Sequence, residues 1–136
     1  HLDSKQQYRL SGSHLTHFPQ HQYSDITDIR VQMTGKAQNR RIIQADNGQM
    51  SDDGQQLTLE NNVRLVNHSP SAQKTVTITS QSLTIYPQKE YAHTEDRVQI
   101  QAENFSIQAT GMTNWWNTQK LQLHNHVHTT YTRPTP

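Results

Sequence analysis

The chain has no cysteine. That excludes a disulfide framework and a cysteine nucleophile. Glycine is scarce, with five in 136 residues, and no glycine-rich phosphate loop or GxSxG elbow can be read. Apolar residues make up only 30%, well under the roughly 45–50% of ordinary globular domains. No run approaches the ~18 apolar residues of a membrane helix, and no signal peptide is visible at the start, "HLDSKQQ". Charge of one sign is lacking too, since the formal net charge is +1. Near-neutrality argues against wholesale nucleic-acid binding and against the highly charged composition of disordered chains.

What remains is polar without being charged: Gln, Asn, Thr, Ser and His. Such a chain folds if its few apolar residues share one face. Alternation shows that they do. In "TVTITSQSLTIYP" (75–87) Val76 and Ile78 share one parity, and "RVQIQAENFSIQA" (97–109) places Val98, Ile100 and Ala102, then Phe105 and Ile107. Period-2 patterning with β-branched residues predicts half-buried strands. Asp53-Gly54 signals a hairpin turn between Met50 and Leu57. Pro19, Pro70 and Pro87 mark loops or strand ends. No stretch has 3.6-residue periodicity, and "QYSDITDIRVQM" alternates well enough to be a strand. The fold class expected is all-β, with a thin apolar interior.

An internal repeat sharpens this. Four segments share an entry pattern of apolar, any, small, any, any, then usually apolar. They begin at Leu10, Ile43, Ile78 and Ile100, with Gly12, Ala45, Ser80 and Ala102 as the small residues. Each leads to an exit strand: "YSDITDI", "LTLENNV", "AHTEDRV" and "LQLHNHV". Entry-to-exit distances are 19, 20, 20 and 27, so the fourth unit is expected to carry about seven extra residues near "TGMTNWWNT" (110–118). Inside a unit the parity of apolar residues flips after the small residue. A bend or bulge there would let the chain turn a corner and keep its apolar side chains inward.

By parity the inward set is Leu10, Ile29, Val31, Ile43, Leu57, Leu59, Val63, Leu65, Val76, Ile78, Leu83, Ile85, Val98, Ile100, Phe105, Ile107, Leu121, Leu123 and Val127. These residues make either a plain core or the lining of an apolar groove. His124, His126 and His128 alternate in "LQLHNHVH" and suggest a metal site. That stretch superimposes on "LTLENNVR", however, so the histidines fall where Glu60, Asn62 and Arg64 fall. A solvated outward face is the better reading, and no metal is expected. Arg40-Arg41, with Lys36 nearby, is either a phosphate-contacting patch or a solvated strand start. Trp115-Trp116 puts one ring on each face, either as a sugar platform or membrane anchor, or with one ring in the core and the other over a sheet end. The carboxylates fall in turns or outward, and none pair for acid–base work. The chain reads as a non-enzyme needing no cofactor.

The repeat "IxA…LxLxxNV", with "YRLSGSHL" (8–15) before it and "TTYTRP" (129–134) after it, resembles the OstA-like domains of the lipopolysaccharide transport machinery. The order of features is closer to the LptC type than to the soluble LptA type. The resemblance implies one β-jelly-roll folded like a taco over residues 8–133, with residues 1–7 a disordered or appended terminus and 134–136 a tail. It implies a groove that carries acyl chains, drawn from Leu57, Leu59, Val63, Ile78, Leu83, Ile85, Val98, Ile100, Phe105, Ile107, Leu121, Leu123 and Val127. It implies a periplasmic protein, anchored to the inner membrane by a segment upstream of residue 1. Lipopolysaccharide would come from an inner-membrane ABC transporter at the N-terminal edge (Tyr8, Leu10, Gly12). It would leave to the bridge protein LptA at the C-terminal edge (Val127, Thr129, Tyr131). A soluble LptA-type bridge, a carbohydrate-binding or adhesin-like β-sandwich, and a His-rich metal-binding domain are the alternatives.

Overall fold

The computed structural model describes residues 7–35, 39–69 and 74–132. Residues 1–6 and 134–136, Pro70 and Lys36 lie outside the described residues. Nine strands follow one another: β1 (Gln7–Ser11), β2 (His14–Phe18), β3 (Tyr23–Thr34), β4 (Arg40–Ser51), β5 (Leu57–Ser69), β6 (Lys74–Tyr86), β7 (Tyr91–Gln101), β8 (Phe105–Trp115) and β9 (Lys120–Tyr131). All pair antiparallel, each long strand with the next, in one sheet. β1 and β2 lie end to end on β3, as one strand interrupted at Gly12-Ser13. The one helical turn among the described residues is a 3-10 turn at Pro87–Lys89. The fold is therefore all-β, and the sheet is unclosed and curled.

The expected parity flip is real. The register shifts between Gln44 and Asn47, Glu60 and Val63, Ser80 and Thr84, Thr94 and Arg97, and Gln108 and Thr110. These bulges line up across neighbouring strands and form one corner along which the sheet bends. Several corner residues take left-handed backbone: Asp28 (φ 52°), Asn61 (71°), Asn62 (54°), His126 (52°) and Gly111 (89°). Apart from glycine, Asn, Asp and His are the residues that tolerate this region best. Outside the third unit, where Arg97 stands, the position before the final Val or Ile of an exit strand is thus not an arbitrary outward site. It is held by Asp28, Asn62 and His126 because the bend needs a left-handed residue.

The strand pairing also corrects the repeat. Ala102 is not at a corner. It lies in the β7–β8 hairpin, where its N–H donates to the Phe105 carbonyl at 2.9 Å. The fourth unit enters instead at Ile107-Gln108-Ala109, with Met112 as the next apolar residue. Val98 pairs with Ala109, as Val63 and Val98 pair with Ser80. Ile107 to Val127 is 20 residues, the same as the second and third units. No insertion exists. Residues 105–115 are a full strand, and residues 116–119 are simply its turn.

Candidate functional site

Rows of side chains run across the strands on the inner face. On one side of the corner Leu10, Val31, Ile43, Leu65, Ile78, Ile100, Ile107 and Thr129 follow one another by direct pairing. On the other side Leu15, Ile26, Gly48, Leu59 and Leu83 form one row. Ser24, Met50, Leu57, Ile85, Ala92, Asn114 and Leu121 form the next. Because the sheet folds at the corner, these rows bury one another. Val31, Ile43, Leu59 and Ile85 are 0% exposed. Fully burying one such side chain contributes about 1.5–3 kcal/mol.

The expected lining residues divide by strand. Leu57, Leu59, Val63, Ile78, Leu83, Ile85, Val98 and Ile100 are buried. Ile107 and Leu123 are half-buried and pack at the margin, and Phe105 is half-buried beside Tyr131. Leu121 (42% exposed) and Val127 (48%) are not buried, contrary to their parity. β9 ends the sheet, so no further strand covers them. Sequence parity missed Ile26, Met33, Ala92, Met112 and Trp116, all in the core. Continuing the alternation of Ile29 and Val31 finds Met33, Ile26 lies across the corner on the flipped parity, and the corrected fourth unit finds Met112.

The one buried hydroxyl in the inner rows of β7 is satisfied locally. Thr94 is 3% exposed, and its Oγ1 meets Ser82 Oγ at 2.9 Å and accepts from the Asp96 N–H at 3.1 Å. Ser82 also donates to Asp96 at 2.6 Å. A threonine can therefore stand in an apolar row at the corner without an unpaired group.

Both long edges of the sheet are free among the described residues. At one, Tyr8 is 41% and Leu15 60% exposed; at the other, Leu121, Val127 and Tyr131 (76%) are exposed. Leu10 is half-buried, while Gly12 and Thr129 are exposed. Gly12 is where the edge strand breaks, and a Cβ there would lie 2.5 Å from Ile26 Cγ2 and 2.9 Å from the Thr27 carbonyl. Unpaired strand edges carrying apolar side chains are sites for strand addition.

The histidines do not converge. Among the described residues no three His, Asp or Glu side chains are placed to hold a metal. His124 packs over Gly111 on the outer face. Its Nε2 and His93 Nδ1 each lie 2.9 Å from Thr113 Oγ1. His126 is the corner residue. Trp116 is buried at 5% exposed. Trp115 faces outward beside Tyr91, with Lys120 Nζ 5.2 Å from its ring centre. One ring in the core and one over a sheet end is what the structure contains.

The basic pair splits. Arg40 is exposed, whereas Arg41 shares the inner parity of Ile43 and is half-buried. Burial holds the Arg41 guanidinium below its ordinary pKa range.

No curated protein matches this sequence. In three dimensions the chain is similar to LptH of Pseudomonas aeruginosa, the LptA-homologous periplasmic component of the conserved lipopolysaccharide transport device. The TM-score is 0.72 over 96% of this chain and 99% of that one, at 8% identity. That likeness establishes the fold, a jelly-roll of the same kind. The family model for lipopolysaccharide-assembly, LptC-related proteins matches residues 3–132. A match across nearly the whole chain, on a sheet that bends at one corner and is open at both edges, shows that the chain belongs to the LptC-related lipopolysaccharide-assembly family.

Proposed function

We propose that this protein binds lipopolysaccharide with its acyl chains between the two halves of the sheet and its saccharide outside. A role in lipopolysaccharide transport follows from the family. The finer reading rests on one observation: an aliphatic row, Leu10 to Ile107, runs unbroken from strand to strand between two edges that are unpaired among the described residues. A groove that continues to its edges can be extended by another jelly-roll added strand to strand. In this reading lipopolysaccharide enters from an inner-membrane ABC transporter at the β1/β2 edge and leaves to a periplasmic bridge protein at the β9 edge. The protein works in the periplasm, held at the inner membrane. Among the described residues no helix is long and apolar enough to cross a membrane. In this reading the lining is aliphatic and the protein acts as a carrier, as the transport role of the family suggests. Each acyl methylene taken out of water contributes about 0.8 kcal/mol, so a short aliphatic lining is enough to hold several chains.

Photo-crosslinking in cells tests this. A photoreactive residue at Ile78, Val98 or Phe105 should give lipopolysaccharide adducts, and one at the outward Gln99 should not. Equal yields at inner and outer positions would refute the groove.

A further inference from the structure

Among the described residues Arg41 has no side-chain hydrogen bond or ion pair that explains its position. It stands on the inner face in the row Tyr8–Met33–Arg41–Asn67–Val76, next to the row that contains Val31, Ile43 and Leu65. Met33 beside it is 4% exposed, and Val31 and Ile43 one row below are 0%. Its Nε is buried with no hydrogen-bond partner. Among the described residues no carboxylate pairs with Arg41, and Asn67, opposite it on β5, makes no side-chain hydrogen bond either. A second orphan lies two residues away, where Asn39 Oδ1 is buried without a partner. Amide oxygen and nitrogen are assigned by their surroundings, so Asn39 can equally turn its NH2 group toward the same place.

An unpaired, partly buried cation is costly. Solvation alone favours a neutral residue at this position, and the adjacent Arg40 shows that a solvated arginine fits one residue earlier. The guanidinium also remains charged, since an arginine is not deprotonated near neutrality. Arg41 offers only donors, and Asn39 and Asn67 can each add an NH2 group, at the end of an aliphatic lining. An anion with two or three acceptor oxygens would satisfy it, and a planar guanidinium matches a phosphate in bidentate fashion. A free anion would not need the apolar rows alongside. An amphiphile with a phosphate on its head would use both.

We propose that Arg41, with Asn67 and Asn39, binds a phosphate of the lipid headgroup and so fixes how far the acyl chains enter the groove. This rests on the lipopolysaccharide reading above and specifies which part of that ligand the inner face recognises.

The test compares lipopolysaccharide with the same material stripped of its lipid phosphates, using the wild-type chain and its Arg41→Gln, Arg41→Lys and Arg40→Gln variants. Wild type and Arg40→Gln should bind the phosphorylated form about tenfold more tightly, the size of one charge-assisted hydrogen bond. Arg41→Gln should bind both forms equally, at the wild-type affinity for the stripped one. Arg41→Lys should recover part of the preference. Because the charge is unpaired in the empty groove, Arg41→Gln should melt no lower than wild type, which separates loss of recognition from loss of folding. Retained discrimination in Arg41→Gln would overturn the proposal. So would discrimination that vanishes from wild type in millimolar inorganic phosphate while Arg41→Gln is unaffected by it, since the site would then be one for the free ion. Binding of both forms without discrimination by wild type would overturn the phosphate site and leave the groove standing. Failure to bind either form would overturn the groove and this site together.

Discussion

Asn62 tests the corner most directly. It sits at φ 54° in the middle of β5, next to Asn61 at φ 71°. Its Nδ2 donates to Asp46 Oδ2 at 2.7 Å across the bulge. Asn62→Val changes two things. Placing a β-branched residue in left-handed backbone costs about 1–2 kcal/mol beyond an ordinary position. Losing an exposed hydrogen bond to a carboxylate costs about 0.5–1 kcal/mol. The expected sum is about 1.5–3 kcal/mol. A 136-residue chain unfolds with an entropy of about 0.3 kcal/mol/K, at about 2.1 cal/mol/K per residue. The melting temperature should therefore fall by about 5–10 °C. Asn62→Gly loses the hydrogen bond but not the backbone tolerance, so it should stay within about 1 kcal/mol of wild type. Glu60→Val, two residues earlier at an exposed, ordinary strand position, should be close to neutral. Thermal and urea unfolding followed by far-ultraviolet circular dichroism measures all three. If Val and Gly at position 62 destabilise equally, the corner does not depend on left-handed backbone and the reasoning fails.

Two further outcomes follow from the same geometry. Met112→Ala, at a core position 1% exposed, should cost about 2–5 kcal/mol, while Val127→Ala, 48% exposed on the end strand, should cost under about 1 kcal/mol; comparable losses in urea unfolding would refute the 20-residue register of the fourth unit. Asp53 has its pKa lowered, first by the Gln55 N–H and then by the Ser51 hydroxyl, which donate to it at 3.0 and 2.7 Å. A depressed carboxylate pKa contributes stability above the unfolded value, and that contribution is lost as pH falls through the folded value. Asp53→Asn should therefore melt below wild type at neutral pH, and the gap should close in acid. A gap that persists at low pH would show that the hydrogen bonds to Asp53 do not depend on its charge.

The strands and the Asp53-Gly54 turn were legible because alternation is a local property. So was the corner, since a parity flip within one segment forces a bend. The fourth unit was not legible, because Ile100-Gln-Ala102 and Ile107-Gln-Ala109 fit the entry pattern equally well seven residues apart. Only the pairing of Ala109 with Val98, and the hairpin at Ala102, separate them. The histidines of β9 likewise look alike in sequence. Backbone conformation makes His126 the corner residue, and a glycine on β8 leaves room for His124.

By itself the sequence determined which residues share a face of each strand, because a strand's side chains alternate whatever surrounds it. Whether a face is covered was decided by the tertiary structure, because cover comes from what stands opposite and from where the sheet ends. That is why Leu121 and Val127, apolar and inward by parity, are exposed on the last strand. It is also why Arg41, charged and inward by parity, lies among aliphatic rows with no partner of its own.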